Sequence, residues 1–355
     1  MSKNGKTKGW TPLVSILVYN FNYGRFLKEC LESAINQTYP NVEIVFSDNA
    51  STDESWEVAL EILDRYPDRI TVIRNRSNVG GEDNLQNCIR HARGDYYVIL
   101  CSDDVLMPDY VERCLEVFRA NYEVAFVIVN RNIWDAKGAF HTEAPFYRQS
   151  CVVPGKEQAA VYMMAAVNPS ISQIMYNRHI ANDFPVVRSL GSQWYTHRLQ
   201  DFLICMEHDI AYLVEPLVYH RLHGENDSIF VTGSLLEIFS PYVMKHQFSE
   251  YARFRNETKV AERLQPALAN LSRLALRYCL NALLANDSQL AKRYFYLAPA
   301  IDLQVEEEPL FKELREFWHK DEEEVRARFL HKFKKQSVLL RRVESYDPPP
   351  GSMIL

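Results

Sequence analysis

GDYYVILCSDDVLMPD, from Gly94 to Asp109, is the stretch whose reading decides the fold. Its first part, Tyr96-Tyr97-Val98-Ile99-Leu100, is an apolar run of β-favouring residues, which predicts a strand buried on both faces, as in a parallel sheet. Ser102, Asp103 and Asp104 follow at once, and Pro108 and Asp109 then open a helical pattern carrying Val111, Cys114, Leu115 and Phe118. Two adjacent carboxylates at the carboxyl end of a buried strand stand where open α/β sheets bind ligands. Such neighbours repel, so the pair calls for a cation. A hard divalent ion with oxygen ligands, carrying phosphate on its other side, answers that need. The plainer alternative is a helix N-cap with a spare acid beside it.

Working outward, the same alternation repeats on the N-terminal side. Residues 13–18 (LVSILV) read as a first strand ending in Tyr19-Asn20-Phe21-Asn22, followed by Phe26, Leu27, Cys30, Leu31, Ala34 and Ile35 at helical spacing. Residues 42–46 form a second strand ending in a polar loop with Asp48, where Ser51 or Thr52 can cap a helix carrying Trp56, Ala59, Leu60 and Leu63. Residues 70–73 form a third strand; Asn78-Val79-Gly80-Gly81 is a turn, and a helix with Leu85, Cys88, Ile89 and Ala92 leads into Gly94. Four strand–helix alternations, each strand ending in polar residues, predict a mostly parallel, doubly wound sheet with helices on both faces. No GxGxxG follows the first strand and no GxxxxGK[ST] occurs, so a nucleotide would be held by side chains and a metal.

The chain has 355 residues, enough for two domains, and a formal net charge of −6 with a pI near 6.0, which does not suggest a general nucleic-acid binder. Its seven cysteines, at 30, 88, 101, 114, 151, 205 and 279, show no CxxC and no paired spacing, the usage of reduced thiols. No apolar stretch of signal-peptide length precedes Pro12, and no run reaches the roughly 20 residues of a membrane span. The expectation is a soluble cytoplasmic protein, in which a sequon such as Asn270-Leu271-Ser272 means little.

Several motifs in order resemble those of family 2 glycosyltransferases: VSILVYNFNYGRFLKECLESAINQTYPNVEIVFSDNASTDES, NVGGEDN, ARGDYYVILCSDDVLMPD and EPLVYHRLHGENDS, together covering about residues 12–230. The resemblance implies a GT-A fold and inverting transfer. It places Tyr19, Asn20, Phe21 and Asn22 in the loop that holds the base, with Phe21 against the ring and Asp48 accepting a hydrogen bond from a base N–H. Asn78, Gly80 and Ser102 join the nucleotide-binding set. Asp103 matches the second acid of the DXD motif, the direct ligand of Mn2+ or Mg2+, and Asp104 the acid that often follows it. Arg221-Leu222-His223 resembles a diphosphate clamp, with Arg221 near phosphate and His223 as third metal ligand. Two departures stand out. Cys101 replaces the acid that helps hold ribose, and residues 83–86 lack the Ala-Arg-Asn signature that carries a donor-contacting arginine.

Residues 124–129 are another buried strand, and 167–175 resemble the family's acceptor-side strand. Between Trp194 and Glu207 a helix is predicted whose start carries the family's catalytic base; His197 and Asp201, four apart, share one face, and Asp201 is favoured because the family uses a carboxylate. Residues 210–218 form an apolar run broken by Glu215-Pro216.

From about Ser234 the composition turns helical. Leu264, Leu268, Leu271, Ala275, Tyr278 and Ala282 form a stripe; Asn286-Asp287-Ser288 caps the next helix; Val305 to Pro309 is an acidic turn. A last helix carries Val325, Phe329, Phe333, Gln336, Leu340 and Val343 beside several basic residues, which could rest on an anionic membrane, though packing on neighbours is the plainer alternative. The expected division is a nucleotide-sugar-binding catalytic domain over 12–233, a helical region over 234–345 and a flexible tail over 346–355. The expected activity is transfer of a sugar from a nucleoside diphosphate sugar, UDP-linked, to a hydroxyl of a glycan or lipid-linked glycan, in bacterial surface polysaccharide synthesis. The competing expectations are a non-catalytic nucleotide-sugar or glycan-binding module and, less well supported, a nucleotidyltransferase.

Overall fold

The computed structural model describes residues 9–135, 137–164, 169–184, 196–224, 233–319, 323–334 and 345–355. The strand expected from Tyr96 is present as β4 (Tyr96–Cys101), and it lies inside the sheet with β1 (Val14–Asn20) on one side. Gly94 opens it for a steric reason: a Cβ there would lie 2.6 Å from the Ser15 amide nitrogen and 2.6 Å from the Tyr96 carbonyl oxygen. Such a contact cannot be relieved, because both neighbours are backbone.

β1 pairs in parallel with β2 (Val42–Asp48), and β2 with β3 (Ile70–Arg74). Helices α1 (Gly24–Ile35), α2 (Ser55–Arg65) and α3 (Gly81–His91) connect these strands. The short β5 (Val105–Leu106) and α4 (Tyr110–Ala120) follow β4. β6 (Phe126–Trp134), β7 (Phe140–Thr142) and β8 (Cys151–Val153) precede α5 (Gly155–Met164). β9 (Ile174–Asn177), α6 (Arg178–Ala181), α7 (Thr196–Cys205) and β10 (Ile210–Arg221) complete the first unit. The spatial order is β11-β8-β10-β6-β9-β4-β1-β2-β3, where β11 is Met353–Ile354. β9 runs antiparallel between β4 and β6, whereas β6 and β10 are parallel. The doubly wound, mostly parallel sheet is therefore as expected, with a mixed second half.

Alternation along each strand splits the core by face. Ile16, Ile44, Val98 and Val127 pack with α1 and α4, while Leu17, Val45, Ile99, Phe126 and Tyr212 pack with α5 and α7. Residues 167–175, expected as a strand, divide instead: Ile171–Gln173 is a 3-10 turn and only then does β9 begin. Ser170 accepts and donates within that turn as a capping box with Gln173, which the backbone exploits before extending. Strand β10 runs on to Arg221, past Glu215-Pro216, because bulges absorb the proline.

Helix α8 (Leu236–Phe254) begins the C-terminal region, yet its Met244 and Phe248 belong to the core of the first unit. Phe248 stacks on Phe202 at 3.9 Å between ring centres. The remaining helices include Leu264–Leu284 and Ser288–Ile301, which build a separate core around Leu271, Leu276, Cys279 and Tyr294. Asp287 caps the second of these by accepting from the Leu290 amide at 2.9 Å. The acidic turn at Val305 is wound as a 3-10 helix, Leu303–Glu307. The last helix is described over Glu323–Lys334, where Phe329 packs on Phe317 at 5.1 Å; Gln336, Leu340 and Val343 lie outside the described residues. No described helix is long and apolar enough to cross a membrane.

The expected flexible tail is corrected. Met353 and Ile354 pair antiparallel with Val152 and Cys151, Tyr346 bridges to Tyr147, and Arg148 pairs with Asp347 at 2.8 Å. The Pro348-Pro349-Pro350 run suggested disorder, but β8 leaves an open edge whose N–H and C=O groups a following strand satisfies.

Candidate nucleotide and metal site

The ends of β1, β2 and β4 are in register, Asn20 beside Asp48 and Tyr19 beside Cys101, so their polar termini form one edge. Asp103 and Asp104 leave that edge together but do different work. Asp104 has no exposed surface. Its Oδ1 faces His220 Nδ1 at 3.1 Å and accepts from the Arg221 amide at 3.1 Å, while its Oδ2 accepts from the Ser172 hydroxyl at 2.6 Å and the Ser170 hydroxyl at 3.3 Å. Burial would raise its pKa, but His220, Ser172 and the Arg221 amide outweigh it and hold the carboxyl low. The same pairing raises the His220 pKa against the pull of burial.

Asp103 is 8% exposed, and its Oδ2 lies 3.1 Å from His223 Nε2. Burial pushes its pKa up; the His223 hydrogen bond opposes this and the Asp104 charge adds to it. A carboxylate raised in this way favours the approach of a cation. Cys101 Sγ, an Asp103 oxygen and an Asp104 oxygen all lie within 4.8 Å of one another. The donor set of carboxylates with a nearby imidazole fits a divalent ion of the Mn2+ or Mg2+ kind. Asp104 spends its oxygens on β10 and the 3-10 turn, which leaves Asp103, expected as the direct ligand, the better placed of the two. Cys101, standing for the family's ribose acid, donates its amide to Ser172 at 3.1 Å.

Arg221 is held by aromatic faces. Its guanidinium carbon sits 3.7 Å over Trp134 and 4.8 Å over Phe26, its Nε donates to the Asp103 carbonyl at 3.0 Å, and its Nη2 pairs with Glu29. His223 packs against the same Phe26, at 4.6 Å between rings. Arg221 and His223 are thus brought to Asp103 as expected; Glu225, Asn226 and Asp227 of that motif lie outside the described residues.

On the base side, Asp48 is placed differently from expectation. It has no exposed surface, and its oxygens accept from Asn20 Nδ2 at 3.3 Å and the Ser51 amide at 3.1 Å and lie 3.3 Å from Arg74 Nε. Ser51, expected as a helix cap, instead accepts from the Asn22 amide at 2.9 Å and Asn20 Nδ2 at 3.1 Å. Asp53 takes the capping work, accepting from the Ser55 amide at 3.1 Å. Asp48 therefore anchors the Asn20–Asn22 loop, and the groups that reach solvent there include Phe21, 41% exposed, Asn22, and Arg74, whose side chain is 40% exposed. Asn78 is also exposed; its Oδ1 accepts from the Gly80 amide at 2.9 Å and from Asn49 Nδ2 at 2.8 Å. Gly80 holds a φ of 90°, which a side chain would strain. Ser102 donates to the Tyr19 carbonyl at 2.9 Å and locks β4 to β1.

The expected bases lie on α7; Trp194, the expected start of that helix, is outside the described residues. Asp201, the favoured base, has no exposed surface and accepts from the Tyr176 hydroxyl at Oδ1, 2.8 Å away. Burial raises its pKa to about 6 against the opposing effects of Arg198 and Tyr176. His197 keeps some exposed surface, while burial and the Arg198 charge push its pKa down to about 3. Among the described residues, no hydrogen bond joins either to Asp103 or His223.

Arg74, His220, Ser172 and Trp134 were not singled out from sequence. His220 was detectable in principle, since it adjoins Arg221 in the same motif. Ser172 was not, because its partner Asp104 lies 68 residues away.

The family described as Glycosyl transferase family 2 matches residues 15–183. The chondroitin synthase of Escherichia coli is 37% identical over 123 residues, 34% of this chain and 18% of that protein. An uncharacterized glycosyltransferase of Haemophilus influenzae is 24% identical over 272 residues, 75% of this chain and 88% of that protein. Among solved structures, S. aureus TarS 1-349 in complex with UDP-GlcNAc is 15% identical with a TM-score of 0.49, covering 83% of this chain and 92% of that one. The match to the chondroitin synthase spans less than a fifth of that relative's length. Residues 15–183 of this chain thus match glycosyl transferase family 2, and the relatives that resemble it are glycosyltransferases and polysaccharide synthases by name.

Proposed function

We propose that this chain moves a sugar from a nucleoside diphosphate donor, UDP-linked, to a hydroxyl of a glycan or lipid-linked glycan, with inversion at the transferred carbon. The observation that carries the reading is the convergence of Asp103, His223 and Arg221 at one edge of the sheet, beside the loop that Asp48 anchors. The nucleoside is assigned to the ends of β1–β3, between Phe21 and the Asn78–Gly80 turn, with the diphosphate toward Asp103. Mn2+ or Mg2+ held by Asp103, with His223 beside it and Asp104 behind, would neutralise charge on the leaving diphosphate. Arg221 adds a cation already fixed between Trp134 and Phe26, so little reorganisation is needed as charge develops. Its always-charged, planar group suits phosphate better than lysine would. The acceptor proton is assigned to α7, where the Asp201 carboxyl, raised to about 6, has the basicity to take it, while the His197 ring, pushed down to about 3, is a far weaker base.

The chondroitin synthase relationship supports polysaccharide synthesis as the setting. Cys101 favours the second reading, a non-catalytic sugar-nucleotide binder, since a ribose ligand of the family is replaced there. Incubation of the full chain with a panel of nucleotide sugars and MnCl2, with and without saccharide acceptors, separates the two. Release of nucleoside diphosphate that stops with EDTA, and a product of opposite anomeric configuration by NMR, is the expected result. Tight donor binding with no turnover under any condition supports the binder; a product retaining the donor's configuration refutes inversion.

A further inference from the structure

We infer that the Cys101 sulfur binds the metal ion directly and makes this site select a thiophilic divalent ion, of the Zn2+ or Co2+ kind, over Mg2+. The inference rests on the nucleotide and metal reading above, and deepens it by naming the ion that the site prefers.

Position argues for a ligand. Cys101 is the last residue of β4 and stands in register with Tyr19 near the end of β1, at the same sheet edge as the two acids. Its sulfur, an Asp103 oxygen and an Asp104 oxygen lie within 4.8 Å of one another. Zinc bonds run about 2.3 Å to sulfur and about 2.0–2.2 Å to a carboxylate oxygen, so these atoms need move little to share one ion. The residue is also pinned on both sides. Its amide donates to the Ser172 hydroxyl at 3.1 Å, and its carbonyl accepts from the Cys30 thiol at 3.5 Å. Ser172 in turn donates to Asp104 at 2.6 Å, so a single serine sets the sulfur against the acid pair. Among the cysteines, the other six are buried, and Cys101 alone keeps exposed surface through which an ion can arrive.

Chemistry argues for the choice of ion. Carboxylates alone suit Mg2+ and Mn2+, which take hard oxygen ligands. A thiolate is a soft ligand that favours Zn2+ and its neighbours, whereas Mg2+ keeps to oxygen and water. Asp104 cannot offset the sulfur, because its two oxygens are already engaged by His220, the Arg221 amide and the serines of the 3-10 turn. Asp103 and Cys101 therefore supply one hard and one soft ligand, and the remaining positions stay open to water and diphosphate oxygens. Coordination forms a metal–sulfur bond and breaks the S–H bond, and the proton leaves to solvent. An acid at position 101, as the family has, would present oxygen only and leave the preference with hard ions.

The test titrates the full chain with CoCl2, ZnCl2 and MgCl2, first alone and then with UDP. Co2+ is read by its sulfur-to-cobalt charge-transfer band in the near ultraviolet, and Zn2+ and Mg2+ by competition with it. Cys101→Ser and Cys101→Asp are compared with wild type, and Cys279→Ser, in the core of the C-terminal helices, controls for the other thiols. Wild type and Cys279→Ser should show a saturable band, and both Cys101 variants none. Even a partner one step removed from an ion is typically worth about 10–100-fold in affinity, so loss of the sulfur should weaken Co2+ and Zn2+ by about tenfold or more. Mg2+ affinity should not weaken in Cys101→Ser, and should rise in Cys101→Asp, where an oxygen ligand is gained. A wild-type chain without the band, or a band that persists in both Cys101 variants, overturns the assignment. Equal losses of Co2+ and Mg2+ affinity in both variants also overturn it, since they mark a disturbed site and not a lost soft ligand. Metal-dependent UDP binding without the band overturns the inference and leaves the donor reading intact. The band without UDP binding in any of the metals upholds the inference and refutes the donor reading instead.

Discussion

Replacing Asp103 by Asn changes one atom of the side chain and removes one negative charge at the site where the two carboxylates meet. In the free protein the change should not destabilise the fold. Burial already raises the Asp103 pKa and the Asp104 charge raises it further, so the neutral amide relieves both effects. It retains an oxygen that can face His223, 3.1 Å away in the native pair. The ligand-bound protein should differ sharply. At a free ligand concentration of about 100 times Kd, binding stabilises the native state by about 2.7 kcal/mol. With an unfolding entropy of about 2.1 cal/mol/K per residue, a chain of 355 residues should melt about 3–4 °C higher. Thermal melting with UDP is therefore compared in MnCl2 and in EDTA. Wild type should show a metal-dependent shift of that size, and Asp103→Asn less than about 1 °C, since a charged ligand to the ion is gone. An undiminished shift in the variant, with the free protein melting as before, would refute Asp103 as the metal ligand.

Three further outcomes follow from the same structure. Asp104→Ala should cost about 3–5 kcal/mol in urea unfolding, because it leaves the His220 imidazole, the Arg221 amide and two serine hydroxyls without their buried partner; a loss under 1 kcal/mol would show that these groups re-pair. His197 has a folded pKa below its unfolded one, so the unfolded state binds more protons between about pH 6.5 and 3 and stability falls as pH drops through that window. Because the ring keeps some exposure, His197→Gln should be more stable than wild type by only about 1–3 kcal/mol at pH 4 and similar at pH 8, with parallel pH curves ruling the account out. Truncation after Ser234 should yield insoluble protein, because it strips Met244 and Phe248 from the first unit's core, and burying a single Phe is worth about 3–5 kcal/mol. A soluble, active fragment would separate the helical region from the catalytic fold.

How much was legible in the sequence depended on the range of the interaction. Buried strands and amphipathic helices are written in local periodicity, so Tyr96 to Leu100, the helix from Leu264 and the Asp287 cap were readable where they stand. The family motifs were readable too, because each lies within a few residues of a strand end. What the sequence could not weigh was burial. Asp103 and Asp104 are neighbours of one residue type, yet β10 and the 3-10 turn reach over to bind only Asp104, and that reach spans 66 to 117 residues. Asp201 has the residue type and helix position of a base, but the fold turns it inward to Tyr176, leaving His197 nearer the surface. The proline-rich end looked disordered until the open edge of β8 supplied its partner. Residue type and spacing determined the family resemblance, the sheet and the set of acids by themselves. Only the tertiary structure decided which acids face solvent, since exposure is set by whatever distant segment packs above them.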